Sequence, residues 1–234
     1  MVLYSISNLS KHYGEGTGKV MALDCINLSI PEKKFIVILG ASGSGKSTLL
    51  NILGSMDKPT HGQLYFYDKD ISYLSRKQMI AFRSENIGFV FQSYNLLSDL
   101  TALENVEFST ELAKLDSREA VKSLEMVGLA KRLHHYPAQL SGGEQQRVSI
   151  ARAIAKNPKV LLCDEPTGAL DYKTGVQVLE VLAQVHRERN TSILLITHNQ
   201  EIAKIADIVI TLGSGEVVSI TENPNPVSPL EVVW

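Results

Sequence analysis

Two cysteines in 234 residues, Cys25 and Cys163, are too few and too far apart for a disulfide framework, and both sit in apolar surroundings. A reducing compartment is therefore expected. Long hydrophobic runs are missing too: the longest uncharged stretch, Asn86 to Ser98, falls short of the roughly 18 apolar residues that cross a bilayer. The N-terminal M-V-L-Y-S-I-S lacks the basic region, apolar block and small-residue cleavage site of a secretory signal, so export is not expected. Charge is balanced, with Lys and Arg numbering 23 against 25 Asp and Glu, a net charge of -2. Such a balance gives no general attraction to nucleic acid or anionic lipid. Hydrophobic residues at 44% and charged residues at 21% exclude a disordered, collagen-like or coiled-coil chain. The length allows one large domain or two modest ones.

Short β-branched and apolar runs recur at Phe35 to Leu39, Ile87 to Phe91, Val160 to Cys163, Ile193 to Ile196 and Ile208 to Leu212. Several are apolar throughout, which predicts strands buried on both faces of a mostly parallel sheet. Helical patterns lie between them: Thr48 to Leu53 continues a helix after a glycine loop, Lys173 to Glu188 carries Val176, Leu179 and Leu182/Ala183 on one face, and Gln200 to Ile205 opens another. The alternation gives an α/β class. From about Leu100 to Ala155 only helix signals occur. Thr101-Ala-Leu-Glu104 and Ser141-Gly-Gly-Glu144 both have the spacing of a capping box. A helical subdomain, about residues 93–155, is thus expected inside an α/β core of about 1–92 and 156–222. Val2 to Ile6 and Ala22 to Ile30 read as antiparallel strands on one side, and 223–234 as a Pro-rich extended tail.

The strongest local signal is G-A-S-G-S-G-K-S, which follows one predicted strand and opens a helix. In that context glycines let successive N–H groups converge on phosphate oxygens at the positive end of the helix. Gly40, Ala41, Ser42, Gly43, Ser44, Gly45, Lys46, Ser47 and Thr48 are the candidate phosphate-binding residues, with Lys46 on the β- and γ-phosphates and Ser47 on Mg²⁺. Asp164 and Glu165 end an apolar strand at the same sheet edge; Asp164 suits Mg²⁺, and Glu165 suits polarising an attacking water. Gln92 and His198 also stand at strand exits, where they could sense a γ-phosphate and its metal. In L-S-G-G-E-Q-Q-R, Leu140 to Arg147, two glycines expose the first N–H groups of a helix. That makes a second anion site, far along the chain from the first and inside the inserted helices.

Taken in order, Gly40 to Ser47, Gln92, Leu140 to Arg147, Val160 to Glu165, Gly168-Ala169-Leu170-Asp171 and His198 resemble the Walker A, Q-loop, signature, Walker B, D-loop and switch histidine of ABC transporter nucleotide-binding subunits. The likeness runs from about Val2 to Ile220. It implies an ATPase using ATP and Mg²⁺, with Lys46, Gln92, Glu165 and His198 in the chemistry, and Ser47, Gln92 and Asp164 about the metal. Tyr13 falls where the family's aromatic stacks on adenine. The resemblance also implies a head-to-tail dimer of two copies, which closes ATP between the glycine loop of one and Ser141, Gly142, Gly143 and Glu144 of the other.

Within that family, A-L-D-C-I-N-L-S-I, L-L-N-I-L-G-S-M-D-K-P-T-H-G, I-G-F-V-F-Q-S-Y-N-L-L and D-E-P-T-G-A-L-D are most similar to the group serving macrolide-exporter, lipoprotein-release and cell-division permeases. This implies an integral membrane permease partner of that type, an extracytoplasmic adaptor reached through it, and a place on the cytoplasmic face of the cell membrane. Ser55-Met56, Ala169 and Asn199 depart from the usual pattern. Tyr94, Leu96, Leu97 and Leu100 interrupt a polar stretch and suit either a groove for a permease helix or packing of the helical lobe on the core. A signalling module regulating cell-wall processes would need the same catalytic residues. A nucleic-acid-directed ATPase would carry paired cassettes, a coiled-coil insertion or a basic arm, and a P-loop kinase would leave the L-S-G-G-E-Q-Q segment idle.

Overall fold

The structure, a computed structural model, describes residues 1–14 and 16–233, the side chain of Thr17 excepted. Two long antiparallel strands, β1 (Val2–Tyr13) and β2 (Val20–Pro31), run well beyond the segments expected from sequence. Bulges let them do so. The pairing slips near Asn8 and Cys25, whose φ values of 48° and 45° kink the strands, so polar interruptions break the alternation without ending the pair. The first core strand, β3 (Phe35–Leu39), leads into helix α1 (Lys46–Leu53). Then come β4 (His61–Phe66), β5 (Lys69–Asp70), α2 (Arg76–Asn86) and β6 (Ile87–Val90). Helices α3 (Ala102–Leu112), α4 (Arg118–Met126) and α5 (Gly142–Ile154) follow without a strand between them. The chain closes with β7 (Val160–Asp164), α6 (Tyr172–Arg189), β8 (Ser192–Thr197), β9 (Ile208–Gly213) and β10 (Glu216–Glu222).

One sheet has the order β2-β1-β4-β5 and is antiparallel. The other has the order β10-β9-β3-β8-β7-β6, parallel except for the edge strand β10. Its uninterrupted apolar strands are explained by two cores. Phe35, Val37, Leu161, Cys163, Ile193 and Leu195 face a cluster shared with the helices α3 to α6. Their neighbours Ile36, Ile38, Leu162, Leu194 and Ile196 face a second cluster with β1, β2 and α1. Period-two alternation is therefore present in the structure but invisible in polarity, because both faces are buried. This is the α/β class read from the sequence, with an antiparallel sheet on one side and helices inserted into a mostly parallel core.

Two segments differ from expectation. The predicted helix at Gln200 to Ile205 is a single 3-10 turn at Ile202–Ile205, because the chain must re-enter the sheet at Ile208. The Pro-rich tail lies folded against the core: Pro229 and Val232 are buried, and the Val232 carbonyl accepts a hydrogen bond from Tyr172 Oη at 2.9 Å. Trp234 lies outside the described residues.

Candidate functional site

Because β3, β6, β7 and β8 are parallel, their C-terminal ends open at one edge of the sheet, and each delivers one of the predicted groups there. Leu39 leads to the glycine loop, Val90 to Gln92, Asp164 to Glu165, and Thr197 to His198. Together with Tyr13, Val20, Met21 and Ala22 from the antiparallel sheet, they line a cavity of about 760 Å³. Ser42, Gly43, Ser44, Gly45, Lys46, Ser47 and Thr48 form its floor.

The loop conformation demands its glycines. Gly43 and Gly45 have φ values of 77° and 97°. A Cβ on Gly45 would lie 2.5 Å from the Ala22 carbonyl oxygen, and one on Gly40 would lie 2.5 Å from that of Leu212. Gly45 caps α1 without any side-chain hydrogen bond, so the first-turn N–H groups stay open to an anion. Lys46 is folded back, its Nζ donating to the carbonyls of Gly40 at 2.7 Å and Ala41 at 2.9 Å. The Ser44 hydroxyl is buried and has no hydrogen-bond partner among the described residues. A floor that is rich in donors and poor in acceptors fits the phosphate chain of a nucleotide.

Ser47 Oγ donates to Asp164 Oδ1 across 3.5 Å. Burial pushes the Asp164 carboxyl above its usual range and the adjacent Glu165 charge adds to this, while Ser47 and Lys46 oppose it. Two hard oxygens so placed fit Mg²⁺, which completes its shell with waters and phosphate oxygens rather than with an all-protein cage. Among the described residues no group of three or more His, Cys, Asp or Glu could hold a metal by itself.

Glu165 sits at φ 48°, in the left-handed region that a residue with a side chain seldom adopts. Its N–H donates to the Ile196 carbonyl at 3.0 Å, which pins the turn. Its Oε1 lies 2.9 Å from His198 Nδ1, the carboxylate accepting. Glu165 is mostly shielded and His198 largely exposed, 18% against 70% for the side chains. Gln92 reaches towards Gly168, where an added Cβ would come within 2.8 Å of its Nε2.

Tyr13 stands at the rim, held by a 2.8 Å hydrogen bond from its Oη to Asp57 Oδ2 and by Lys11 Nζ 4.8 Å from its ring centre. Burial pushes Asp57's carboxyl up, but hydrogen bonds from Lys11, the Lys58 N–H and Tyr13 outweigh it and hold it below its usual range. Asp57 lies within L-L-N-I-L-G-S-M-D-K-P-T-H-G, but the sequence does not mark it as a site residue, since it joins Tyr13 only across two elements.

Ser141, Gly142, Gly143 and Glu144 do not line the cavity. Ser141 caps α5: its Oγ accepts from the Glu144 N–H at 3.3 Å, and Glu144 Oε2 accepts from the Ser141 N–H at 2.9 Å. Arg132 Nε donates to Glu144 Oε1 at 2.8 Å. The Ser141 N–H and Arg132 hold this carboxyl down, to about 2. The two glycines are packed, for a Cβ on Gly143 would stand 2.1 Å from Thr174 Cγ2 and one on Gly142 2.9 Å from Tyr94 Oη. Of the apolar residues after Gln92, Leu97 is exposed, while Leu96 packs against the main core.

Residues 23–168 match the family model described as ABC transporter. An uncharacterized ABC transporter ATP-binding protein of Methanocaldococcus jannaschii is 49% identical over 217 residues, 91% of this chain and 96% of that protein. The lipoprotein-releasing system ATP-binding protein LolD of Geobacter metallireducens is 45% identical over 93% of this chain and 98% of its own length. The macrolide export ATP-binding/permease protein MacB of Bartonella henselae is 44% identical over 92% of this chain, which spans only 33% of that longer protein. Among solved structures, the ATP-binding cassette MJ0796, a dimer in a post-hydrolysis state bound to ADP and Pi, superposes with a TM-score of 0.86 at 40% identity, covering 94% of this chain and 98% of its own. The chain belongs to the ABC transporter family, among its ATP-binding ATPase cassettes.

Proposed function

We propose that two copies of this chain close head to tail around two MgATP, hydrolyse them, and thereby drive a separate integral membrane permease of the macrolide-exporter, lipoprotein-release or cell-division type. One observation carries the dimer. The glycines of the second anion-directed helix lie outside the cavity lined by Tyr13, the glycine loop, Gln92, Glu165 and His198, so in this reading that helix meets a γ-phosphate across an interface. The dimeric MJ0796 cassette, and the names of the LolD and MacB relatives, support the same reading.

In this reading Tyr13 stacks on adenine, and the loop from Gly40 to Ser44, with Gly45 and Thr48, cradles the phosphates. Lys46 leaves its two carbonyl acceptors for the β- and γ-phosphates. Ser47 and Asp164, with Gln92 near them, would hold Mg²⁺, which when bound would neutralise charge on the phosphate oxygens. Glu165 takes a proton from the attacking water as its oxygen bonds to the γ-phosphorus and ADP departs. His198, already bonded to Glu165, steadies the γ-phosphate. Ser141 of the second copy binds the same phosphate through its hydroxyl, and Gly142 and Gly143 through their N–H groups, while Glu144 holds that helix end in shape.

No helix among the described residues is long and apolar enough to cross a membrane, so attachment to the cytoplasmic face runs through the permease. Leu97, with Tyr94 and Leu100 beside it, is the apolar ground for that contact, and an extracytoplasmic adaptor would be reached only through the permease. The test is Glu165→Gln. Loss of a general base costs about 10²- to 10⁴-fold in rate, so turnover falls by that much while ATP still binds. Light scattering should then show an ATP-dependent dimer. Monomers alone at saturating ATP would sink the sandwich, and turnover within a few-fold of wild type would remove Glu165 from its role.

A further inference from the structure

Gln146 lies on α5, wholly buried, and has no part in the chemistry described above. Its Nε2 donates to two backbone carbonyls from separate parts of the core: Pro166 O at 2.8 Å and Phe91 O at 3.2 Å. The amide can face only one way, because an oxygen in place of Nε2 would confront two carbonyl oxygens. Its own Oε1 is buried without a hydrogen-bond partner among the described residues. An orphan buried acceptor is destabilising, so a residue chosen for packing alone would be apolar here.

What the two carbonyls adjoin gives the arrangement its meaning. Phe91 immediately precedes Gln92, and Pro166 immediately follows Glu165. One side chain on the signature helix therefore clamps the backbone next to both the metal-side amide and the carboxylate that faces water. A second tether reinforces the first bond: Arg152, further along α5, donates to the carbonyls of Tyr94 at 2.9 Å and Asn95 at 2.5 Å. Gln146 reaches the β7 exit as well. Glu165 sits in a strained left-handed turn, so its carboxylate direction depends on what holds the residues around it.

We propose that Gln146 is a positioning residue for hydrolysis, fixing Gln92 and Glu165 in register with each other and with the helix that begins at Ser141. Any rotation of the helical lobe carries Gln146 with it and moves both strand exits together. The proposal rests on the reading of Glu165 as general base, and Glu165→Gln is run in parallel so that the two can fail separately.

The test is Gln146→Met, which keeps length and apolar bulk and removes both donors. A misplacement of about 1 Å costs on the order of 10²-fold, so kcat should fall by about 10- to 100-fold. KM for ATP and the affinity for a fluorescent ATP analogue should stay within about twofold, because neither lost bond touches the nucleotide-binding loop. A packing role alone would lower the melting temperature and leave kcat per folded molecule at the wild-type value, which overturns the proposal. A matching rise in KM does so too. Should Gln146→Met not fold, Gln146→Glu, which keeps the shape and offers at most one donor when protonated, is judged by the same kcat and KM pattern. Failure of both to fold makes Gln146 a folding residue and equally overturns the assignment. If Glu165→Gln turns over normally while Gln146→Met does not, the general-base reading falls and the positioning effect must act through Gln92.

Discussion

Two helices in this molecule begin with glycine and serine, and their first turns are finished in opposite ways. Helix α1 starts at Gly45 with no side-chain cap, in a left-handed conformation and at a position where a Cβ would meet Ala22 and Leu23. Helix α5 starts at Ser141 with a reciprocal capping box, and the capping carboxylate is itself held by Arg132. The open end lines the cavity and the closed end does not. Openness makes sense where phosphates supply the missing acceptors, and closure makes sense where the ligand arrives only with a second molecule. Until then, a stable helix end needs partners of its own.

The comparison is broken most decisively by mixing two dead variants. Lys46→Ala disables the open end and Ser141→Arg obstructs the closed one; loss of one such electrostatic group should lower turnover at least about 10²-fold in either protein alone. In a head-to-tail pair of the two variants, one site receives both defects and the other receives none. With random pairing the mixture should recover up to roughly a quarter of the wild-type rate, since half of the two-fold dimers carry one intact site. A mixture no faster than its components would show that each chain uses its own two helix ends.

A smaller effect is expected from Gly45→Ala. A side chain at φ 97° costs about 1–3 kcal/mol, and the added Cβ also meets the Ala22 carbonyl at 2.5 Å. The chain should lose several degrees in melting temperature, with weaker ATP binding, because the loop must shift. Unchanged melting and affinity would mean that the open end owes nothing to its glycine.

The sequence revealed those features whose causes are local or periodic. The strands β3, β7 and β8 were legible because burial on both faces leaves unbroken runs such as Val160 to Cys163, and the capping boxes at Thr101 and Ser141 were legible from three-residue spacing. Elements with little burial were not. Helix α2 buries only Phe82, so its apolar period is almost silent. Strand β10 is an edge with Val218 and Ile220 exposed, and β4 reads as polar because its outer face is wet. In the site, Asp164, Glu165, Gln92 and His198 were found at strand exits and Lys46 and Ser47 at the helix start after a glycine loop, and the structure gathers them at one sheet edge. The partners that hold the site residues were silent. Asp57 meets Tyr13 from 44 positions away, and Gln146 meets Phe91 from 55. Composition also misled at the tail, where prolines read as an extended end although Pro229 and Val232 find a groove on the core.

The most delicate test concerns the closed end alone. Glu144→Ala removes the carboxylate that accepts from Ser141 and Arg132, and loss of such a cap typically costs about 1 kcal/mol. In a chain of this size that amounts to about 2–4 °C in melting temperature. The pH dependence identifies the cause. The carboxyl is lowered from 4.5 to about 2 by folding, so its contribution is complete above pH 4.5 and is lost as pH falls towards 2. The gap between wild type and Glu144→Ala in urea unfolding should therefore be constant from pH 7 to about 5 and narrow below that. A gap that stayed the same down to pH 3 would mean that the helix end is held by its shape and not by the charge of Glu144. The contrast with the uncapped start of α1 would then be one of geometry only.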